Sequence, residues 1–171
     1  MMRSLRAAGL ILALALVLGG GFFALRSRSN VAAETVPSAT AEKHQTPPDQ
    51  PAVQIGTARF AVETACDAAA IQQGLSGRPS LAEGTGMLFL FPKPYRYRFW
   101  MPDMHFPLDI IWIAHGAVVA ITEEVPPEDD REHPDFYEPS EPAQYVLEVN
   151  AGTVAREHIR VGNPVVFYHI K

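Results

Sequence analysis

The chain has 171 residues, with 14 Lys and Arg against 19 Asp and Glu, and its formal net charge is −5. This length fits one domain of ordinary size, or a smaller domain with an appendage. The excess of acidic residues argues against nucleic acid as a partner. The one cysteine, Cys66, has no second cysteine to bond within the chain, which excludes a disulfide framework.

Residues 1–26 are predicted to be a signal peptide or an N-terminal membrane anchor. Arg3 and Arg6 precede residues 7–25, which carry no charge. A basic start followed by an apolar run is typical of export signals. The run is close to the ~20 apolar residues that a helix needs to cross a bilayer.

Whether this segment is cleaved is left open by the residues that follow it. Arg26 and Arg28 lie where a cleavage region is normally small and uncharged, which favours a retained anchor. The sequence Val31-Ala32-Ala33 could instead be read by a signal peptidase. We expect an exported, periplasmic or extracytoplasmic domain in both cases, and a retained helix would hold it at the inner membrane.

A disordered linker is predicted over residues 27–53, and a single globular domain over residues 54–171. The linker is rich in Ala, Thr, Pro, Ser and Gln and has no hydrophobic period, so it cannot bury enough apolar surface to offset ordering. The remaining residues are enough for one modest core. They carry nine Lys and Arg against sixteen Asp and Glu, a net charge of −7.

The domain is predicted to begin with a strand and a short helix. Residues 54–63 alternate between apolar and small or polar side chains, which is typical of a strand, here interrupted near Gly56. Asp67 can cap a helix over residues 68–73, because its side chain can accept from the amides that follow. Gly74 would end that helix.

Two further strands are predicted in the segment that follows. Residues 86–91 read GMLFLF, a continuous apolar run that predicts a buried strand. Pro92 and Pro94 are expected to end it, because proline cannot donate to a strand ladder. Residues 97–101 predict the next strand.

A hairpin is predicted over residues 108–123. Two β-branched runs flank His115-Gly116, and a two-residue connection of this kind is typical of a tight hairpin. Residues 123–142 have no hydrophobic period and contain nine acids, so a surface excursion is expected there.

The last elements complete a mainly β (α+β) fold. Residues 144–149 and 165–170 predict strands, and residues 153–158 a short helix between them. Mostly strands with two short helices indicate a compact, mostly antiparallel sheet that curls on itself, or a small barrel.

Five blocks follow one another along this domain: GLSGRPSL (74–81), GMLFLF (86–91), FWM (99–101), PLDIIWI (107–113) and YVLEVNAG (145–152). In this order they resemble the domain of unknown function 192 family, an uncharacterised conserved bacterial and archaeal family. The resemblance covers essentially all of the folded part. It implies a compact, mainly β domain, commonly behind a signal peptide or anchor, with no established activity.

The chain departs from the pattern of this family at two places. Many members resemble Met-Lys-Asn-Thr where this chain has Met101-Pro102-Asp103-Met104. If that loop carries a site, its chemistry varies within the family. The Gly-Asp often found near the C-terminal strand is Gly162-Asn163 here, which suggests a turn rather than a catalytic role.

Asp109 is the first candidate for a functional residue. It starts a strand face that otherwise carries Ile111 and Ile113, because side chains alternate along a strand. A carboxylate there must be paired, hydrogen-bonded or protonated, since a lone desolvated charge costs several kcal/mol. It could accept backbone amides or pair with Arg78. Alternatively, it could line a pocket with other predicted polar and aromatic residues: Arg78, Trp100, Glu148 and Asn150.

Glu148 repeats this pattern on a second strand, so the two acids could act as acid and base in a hydrolase. No Gly-x-Ser-x-Gly motif supports nucleophilic catalysis, and the sequence leans away from an enzyme. The favoured hypothesis is a ligand-binding or accessory module of the cell envelope that binds a small molecule or an envelope component. The alternatives are the hydrolase and a structural interaction domain, which would show a broad exposed apolar patch.

A metal site is the weakest of the candidates. Met104 and His105 carry the soft thioether and the imidazole that suit Cu(I) in an exported protein. Met101, three residues before Met104, could be a third ligand. It belongs to a predicted aromatic-rich strand, however, which favours a core role for it. We therefore expect no metal and no cofactor.

Overall fold

The computed structural model describes residues 49–128, 130 and 132–170. The predicted targeting segment, residues 1–26, and most of the predicted linker, residues 27–53, lie outside this part of the chain. No helix within the described residues is long and apolar enough to cross a membrane.

The described part contains seven strands and two short helices, which confirms the predicted mainly β fold. The first strand begins two residues before the predicted start of the domain. The elements are β1 Ala52–Ile55, β2 Ala58–Ala65, α1 Ala68–Gln73, β3 Thr85–Tyr95, β4 Leu108–Ala114, β5 Ala117–Val125, β6 Ala143–Asn150, α2 Thr153–Arg156 and β7 Val165–Tyr168.

The strands form one sheet in the order β5-β4-β6-β3-β2-β1-β7. Only β2 and β3 pair in parallel; the other five pairs in this sheet are antiparallel. The parallel pair requires a crossover, and α1 supplies it between the two strands.

The sheet curls until its two outermost strands approach each other. The amide of Val118 on β5 donates to the carbonyl of Asn163 at 3.0 Å, and the amide of Gly162 donates to the carbonyl of Val118 at 2.8 Å. The amide of Val165 on β7 also donates to the carbonyl of Gly116 at 2.8 Å. These bonds satisfy backbone groups that an open sheet edge would leave unpaired.

The curl separates two apolar layers. Side chains that point inward fill the half-barrel, and Leu88, Ile111 and Leu147 lie at the centre of this layer. Side chains on the outer face form a second buried layer that includes Phe89, Trp112 and Val146. Since neighbouring residues on one strand serve opposite layers, the central strands are apolar throughout.

The strand predicted over residues 97–101 is wrong. These residues cross the outer face of the sheet, and only Phe99 forms a bridge, exchanging two backbone hydrogen bonds of 2.8 Å with Tyr137. Phe99 and Met101 are buried there. Their apolar side chains gain burial by covering the sheet rather than by joining it, which a local pattern cannot distinguish.

Of two other local predictions, one is confirmed and one is wrong. The β4–β5 hairpin is confirmed, with His115 at φ 53° and Gly116 at φ 73°, as a type I′ turn requires. In contrast, β3 continues through Pro92 and Pro94, which were expected to end it. The pairing of β3 with β6 shifts register between Leu90 and Tyr95, and proline is tolerated at such irregularities.

Gly86 lies too close to β6 for a side chain to fit. A Cβ at this position would lie 2.7 Å from the backbone oxygen of Glu148 and 3.0 Å from Cδ1 of Leu147. Gly86→Ala should therefore force the two strands apart and lower the free energy of unfolding by about 1–3 kcal/mol. Urea denaturation measures this, and an unchanged midpoint would contradict the predicted contact.

Candidate functional site

A cavity of about 260 Å³ opens on the outer face of the sheet. The C-terminal turn of α1 and the residues after it form one wall, β3 and β6 form the floor, and the crossing segment 97–104 forms the other wall. The lining residues are Ile71, Gln72, Gln73, Gly74, Leu75, Ser76, Phe89, Phe91, Tyr97, Arg98, Phe99, Trp100, Met101, Pro102, Met104 and Glu148.

Five aromatic residues and two methionines are among the sixteen lining residues. Phe89 and Phe99 meet edge to face with their ring centroids 5.0 Å apart, and Phe91 stacks on Tyr97 at 3.6 Å. These contacts fix the rings in place, because aromatic pairs have preferred geometries. The cavity therefore has preformed apolar walls.

Glu148 carries the one carboxyl group among the described residues of this lining. Its strand position lies opposite Met87 on β3 and Ile110 on β4, and both neighbours belong to the buried outer layer. The residue is only 5% exposed. Among the described residues, no side chain or backbone group forms a hydrogen bond or an ion pair with its carboxyl group.

Burial controls the charge of this group. Loss of water raises the pKa of the Glu148 carboxyl from its ordinary 4.5 to about 8. The acid is consequently mostly protonated at neutral pH while the cavity holds no charged ligand. A neutral carboxyl group still has one O–H donor and acceptor oxygens to offer.

The mouth of the cavity carries exposed aromatic and cationic groups. Trp100 lines the cavity, is 39% exposed, and has its ring centroid 6.3 Å from that of Phe136. The guanidinium of Arg98 lies 4.5 Å from the centroid of Phe136, within the range of a cation–π interaction.

Asp109 lies outside this cavity, on the opposite face of the sheet. Its carboxylate is fully buried and accepts hydrogen bonds from the backbone amides of Glu124 and Val154, each at 2.8 Å. The amide of Glu124 lies where the pairing of β4 with β5 shifts register, and Glu124 has φ 53° there. The amide of Val154 belongs to α2. Asp109 therefore fixes a bulge and the position of a helix.

Arg78 and Asn150 also have structural partners away from the cavity. Arg78 forms two hydrogen bonds to Glu63, at 2.6 and 2.8 Å, instead of a contact with Asp109. This hydrogen-bonded guanidinium lowers the pKa of the Glu63 carboxyl. The side-chain amide of Asn150 donates to the carbonyl of Leu81 at 2.8 Å. Of the five predicted pocket residues, the lining includes Trp100 and Glu148.

Comparison with known proteins identifies the family. The profile of DUF192, described as "Uncharacterized ACR", matches residues 51–167, which is more than half of the chain. The chain belongs to the DUF192 family. This confirms the family that the five sequence blocks resemble. No curated protein is significantly similar to the chain.

Two solved structures resemble this DUF192 domain. A protein named as a candidate transcription regulator from Sinorhizobium meliloti is 31% identical with a TM-score of 0.64, and the match covers 74% of this chain and all of that one. A protein of unknown function from Novosphingobium aromaticivorans is 32% identical with a TM-score of 0.62. That match covers 67% of this chain and 83% of the other.

The residues considered for a metal are divided between the cavity and the surface of the DUF192 domain. Met104 is buried and lines the cavity, whereas His105 is exposed and is not among the lining residues. Within the described part of the chain, no three His, Cys, Asp or Glu residues are grouped so that they could hold a metal ion. Met101 is 1% exposed and packs in the outer layer.

Sequence reasoning missed most of the cavity walls. The signal that was present lies in β3, where Met87, Phe89 and Phe91 alternate with leucines and so share one face. That alternation could have shown an aromatic face beside Glu148. The contribution of residues 71–76 had no such signal, because it depends on where the crossover places the end of α1.

The buried acid of the cavity predicts a pH-dependent stability. The folded-state pKa of Glu148 lies above its ordinary value, so burial of this acid destabilises the folded state once the unfolded chain would ionise it. This destabilisation is absent below about pH 4.5 and grows until about pH 8. Across that window the free energy of unfolding of the wild type should fall, relative to Glu148→Gln, by roughly 5 kcal/mol at most. Urea denaturation at several pH values measures the difference. Glu141→Gln, at an exposed position, is the control and should track the wild type.

Asp109 predicts a purely structural defect. Asp109→Asn keeps one acceptor oxygen but turns an NH₂ group toward the second buried amide, so we expect a loss of about 2–4 kcal/mol in the free energy of unfolding. Asp135→Asn, at an exposed position, should change it by less than about 0.5 kcal/mol. Thermal and urea denaturation measure both variants. Equal stability of the two would contradict the assigned role.

Proposed function

We propose that this DUF192 domain is a small-molecule binding module whose ligand occupies the cavity on the outer face of the sheet. The observation that carries the proposal is the carboxyl group of Glu148, which belongs to a residue only 5% exposed, lines the cavity and forms no hydrogen bond with another described residue. The polar groups of such residues are normally hydrogen-bonded, to protein, to water or to a ligand. A ligand with a matching polar group could take that position.

The dimensions and lining of the cavity support this proposal. Binding sites for small molecules are concave, mostly apolar and aromatic, with a few polar groups that orient the ligand. A volume of about 260 Å³ is larger than the ~150 Å³ cavity that holds benzene, so it suits a ligand of about ten non-hydrogen atoms. Glu148 would orient the polar end of that ligand.

The hydrolase alternative requires Asp109 and Glu148 to act together as acid and base. Asp109 lies opposite Val149, whereas Glu148 lies opposite Ile110, so the two carboxyl groups point to opposite faces of the sheet. They cannot act on one substrate. A pKa near neutrality would suit Glu148 for acid–base chemistry, but the described lining residues include no second carboxyl group to complete a pair. Binding is therefore the better supported function.

We also propose that the module acts in the cell envelope, exported and tethered through its N-terminal segment. The support is the order of a basic start, an apolar run and a polar linker over residues 1–53. The Sinorhizobium meliloti protein is named as a candidate transcription regulator, but the charge of this domain does not favour binding to nucleic acid. Residues 54–171 have a net charge of −7, which disfavours contact with phosphates.

A variant that fills the cavity tests the binding proposal. Ser76 is half-buried in the cavity wall, and Ser80 is exposed and outside it, so Ser76→Trp and Ser80→Trp form a matched pair. A library of neutral, cationic and anionic compounds of up to about ten non-hydrogen atoms would be screened by thermal shift and confirmed by calorimetry. Compounds that bind the wild type should lose at least about tenfold in affinity to Ser76→Trp and keep their affinity for Ser80→Trp.

Two results would contradict the proposal. One is a set of confirmed ligands that bind Ser76→Trp as tightly as the wild type, because the cavity would then not be their site. The other is a complete absence of ligands for a folded wild-type protein. Circular dichroism and the unfolding midpoint of Ser76→Trp would establish that the variant is folded.

A further inference from the structure

Several groups in the lining of the cavity can attract a cation. Five of its lining residues are aromatic, and the faces of aromatic rings carry partial negative charge. The thioether sulfurs of Met101 and Met104 are weak acceptors. A positive ligand would be attracted by each of these groups.

Arg98 is the one cation among the described residues that line the cavity. Arg98 is exposed, and its guanidinium lies 4.5 Å from the ring centroid of Phe136, at the mouth. No described Lys, Arg or His forms an ion pair with Glu148. Within the described part of the lining, the only other ionisable group is the Tyr97 phenol.

The lining brings aromatic rings and the Glu148 carboxyl group into one cavity of about 260 Å³. A cation that contacts these rings would gain cation–π attraction, which acts within ~6 Å of a ring centroid. The same cation could pair with the carboxyl group of Glu148. A neutral ligand could satisfy the hydrogen bond of Glu148 but would gain neither the ion pair nor the cation–π attraction.

We infer that the ligand of this cavity is a small organic ammonium ion, with its N–H groups on the Glu148 carboxylate and its hydrocarbon part against the aromatic walls. This inference rests on the proposed binding function and names the chemical class of the ligand. Binding would stabilise the carboxylate, so the proton that Glu148 holds in the free protein would pass to solvent. The complex would contain a neutral ion pair shielded from water.

An isosteric pair of probes tests the charge directly. Benzylamine, which is protonated at neutral pH, and benzyl alcohol have the same shape and the same number of non-hydrogen atoms. Calorimetry with the full-length chain should show benzylamine binding at least about tenfold more tightly than benzyl alcohol. Titration in two buffers with different ionisation enthalpies should show a proton released for benzylamine and none for the alcohol.

Variants locate the preference on Glu148. Glu148→Gln should reduce the affinity for benzylamine at least about tenfold and abolish proton release, while leaving the affinity for benzyl alcohol within about twofold. Glu141→Gln should behave as the wild type. Ser76→Trp should weaken both probes, which places them in the cavity.

The outcomes separate the inference from the proposed function. If the alcohol binds as tightly as the amine, or if Glu148→Gln keeps the preference, the ammonium class is overturned while cavity binding stands. If neither probe binds, the ammonium class is also overturned, and the library screen with Ser76→Trp decides cavity binding independently. If Ser76→Trp binds benzylamine as tightly as the wild type, the amine binds elsewhere and the inference fails.

Discussion

Both faces of this sheet are apolar, and both must be kept from water. The strands β4 and β6 impose this constraint, because β4 is buried throughout, β6 is buried at five of its eight residues, and their side chains alternate between the two sides. Burial of apolar surface is the dominant favourable term in folding. One side is covered when the sheet curls and its outermost strands meet, and the other side needs a separate cover.

The two covers differ in how completely they close. On the inner side, Asp109 binds the amides of Glu124 and Val154 and so fixes the end of the half-barrel. On the outer side, α1 and the crossing segment 97–104 approach each other without fully meeting. The cavity is the space left between them, and Glu148 lies in its wall. The candidate site is thus a consequence of an incomplete cover on an apolar sheet face.

Asp109 and Glu148 show why similar sequence patterns lead to different roles. Each is an acid within an apolar strand, and each was a reasonable candidate for chemistry. Asp109 has its carboxylate satisfied by two backbone amides, so it stabilises the fold. Glu148 has no such partner among the described residues, and burial raises its pKa to about 8. The difference lies in the surrounding backbone, which belongs to segments far away in sequence.

Several elements could be predicted from local sequence because their causes are local. The capped helix at Asp67, the type I′ turn at His115 and the alternation in β6 depend on residues within one turn or one strand. The family could be predicted from five blocks in order. The segment 97–101 could not, because its apolar side chains are equally suited to a strand within the sheet and to a cover across it.

The mainly β class, most element positions and the family could be predicted from the sequence, and two of the five residues predicted for a pocket, Trp100 and Glu148, line the cavity. The tertiary structure was needed to show that Asp109 and Glu148 face opposite sides, that Arg78 pairs with Glu63, and that residues 71–76 and Glu148 line one cavity. Periodicity indicates only which side chains share a face of one strand. What lies opposite that face depends on the curl of the whole sheet and the path of its connections, and these are set by distant contacts.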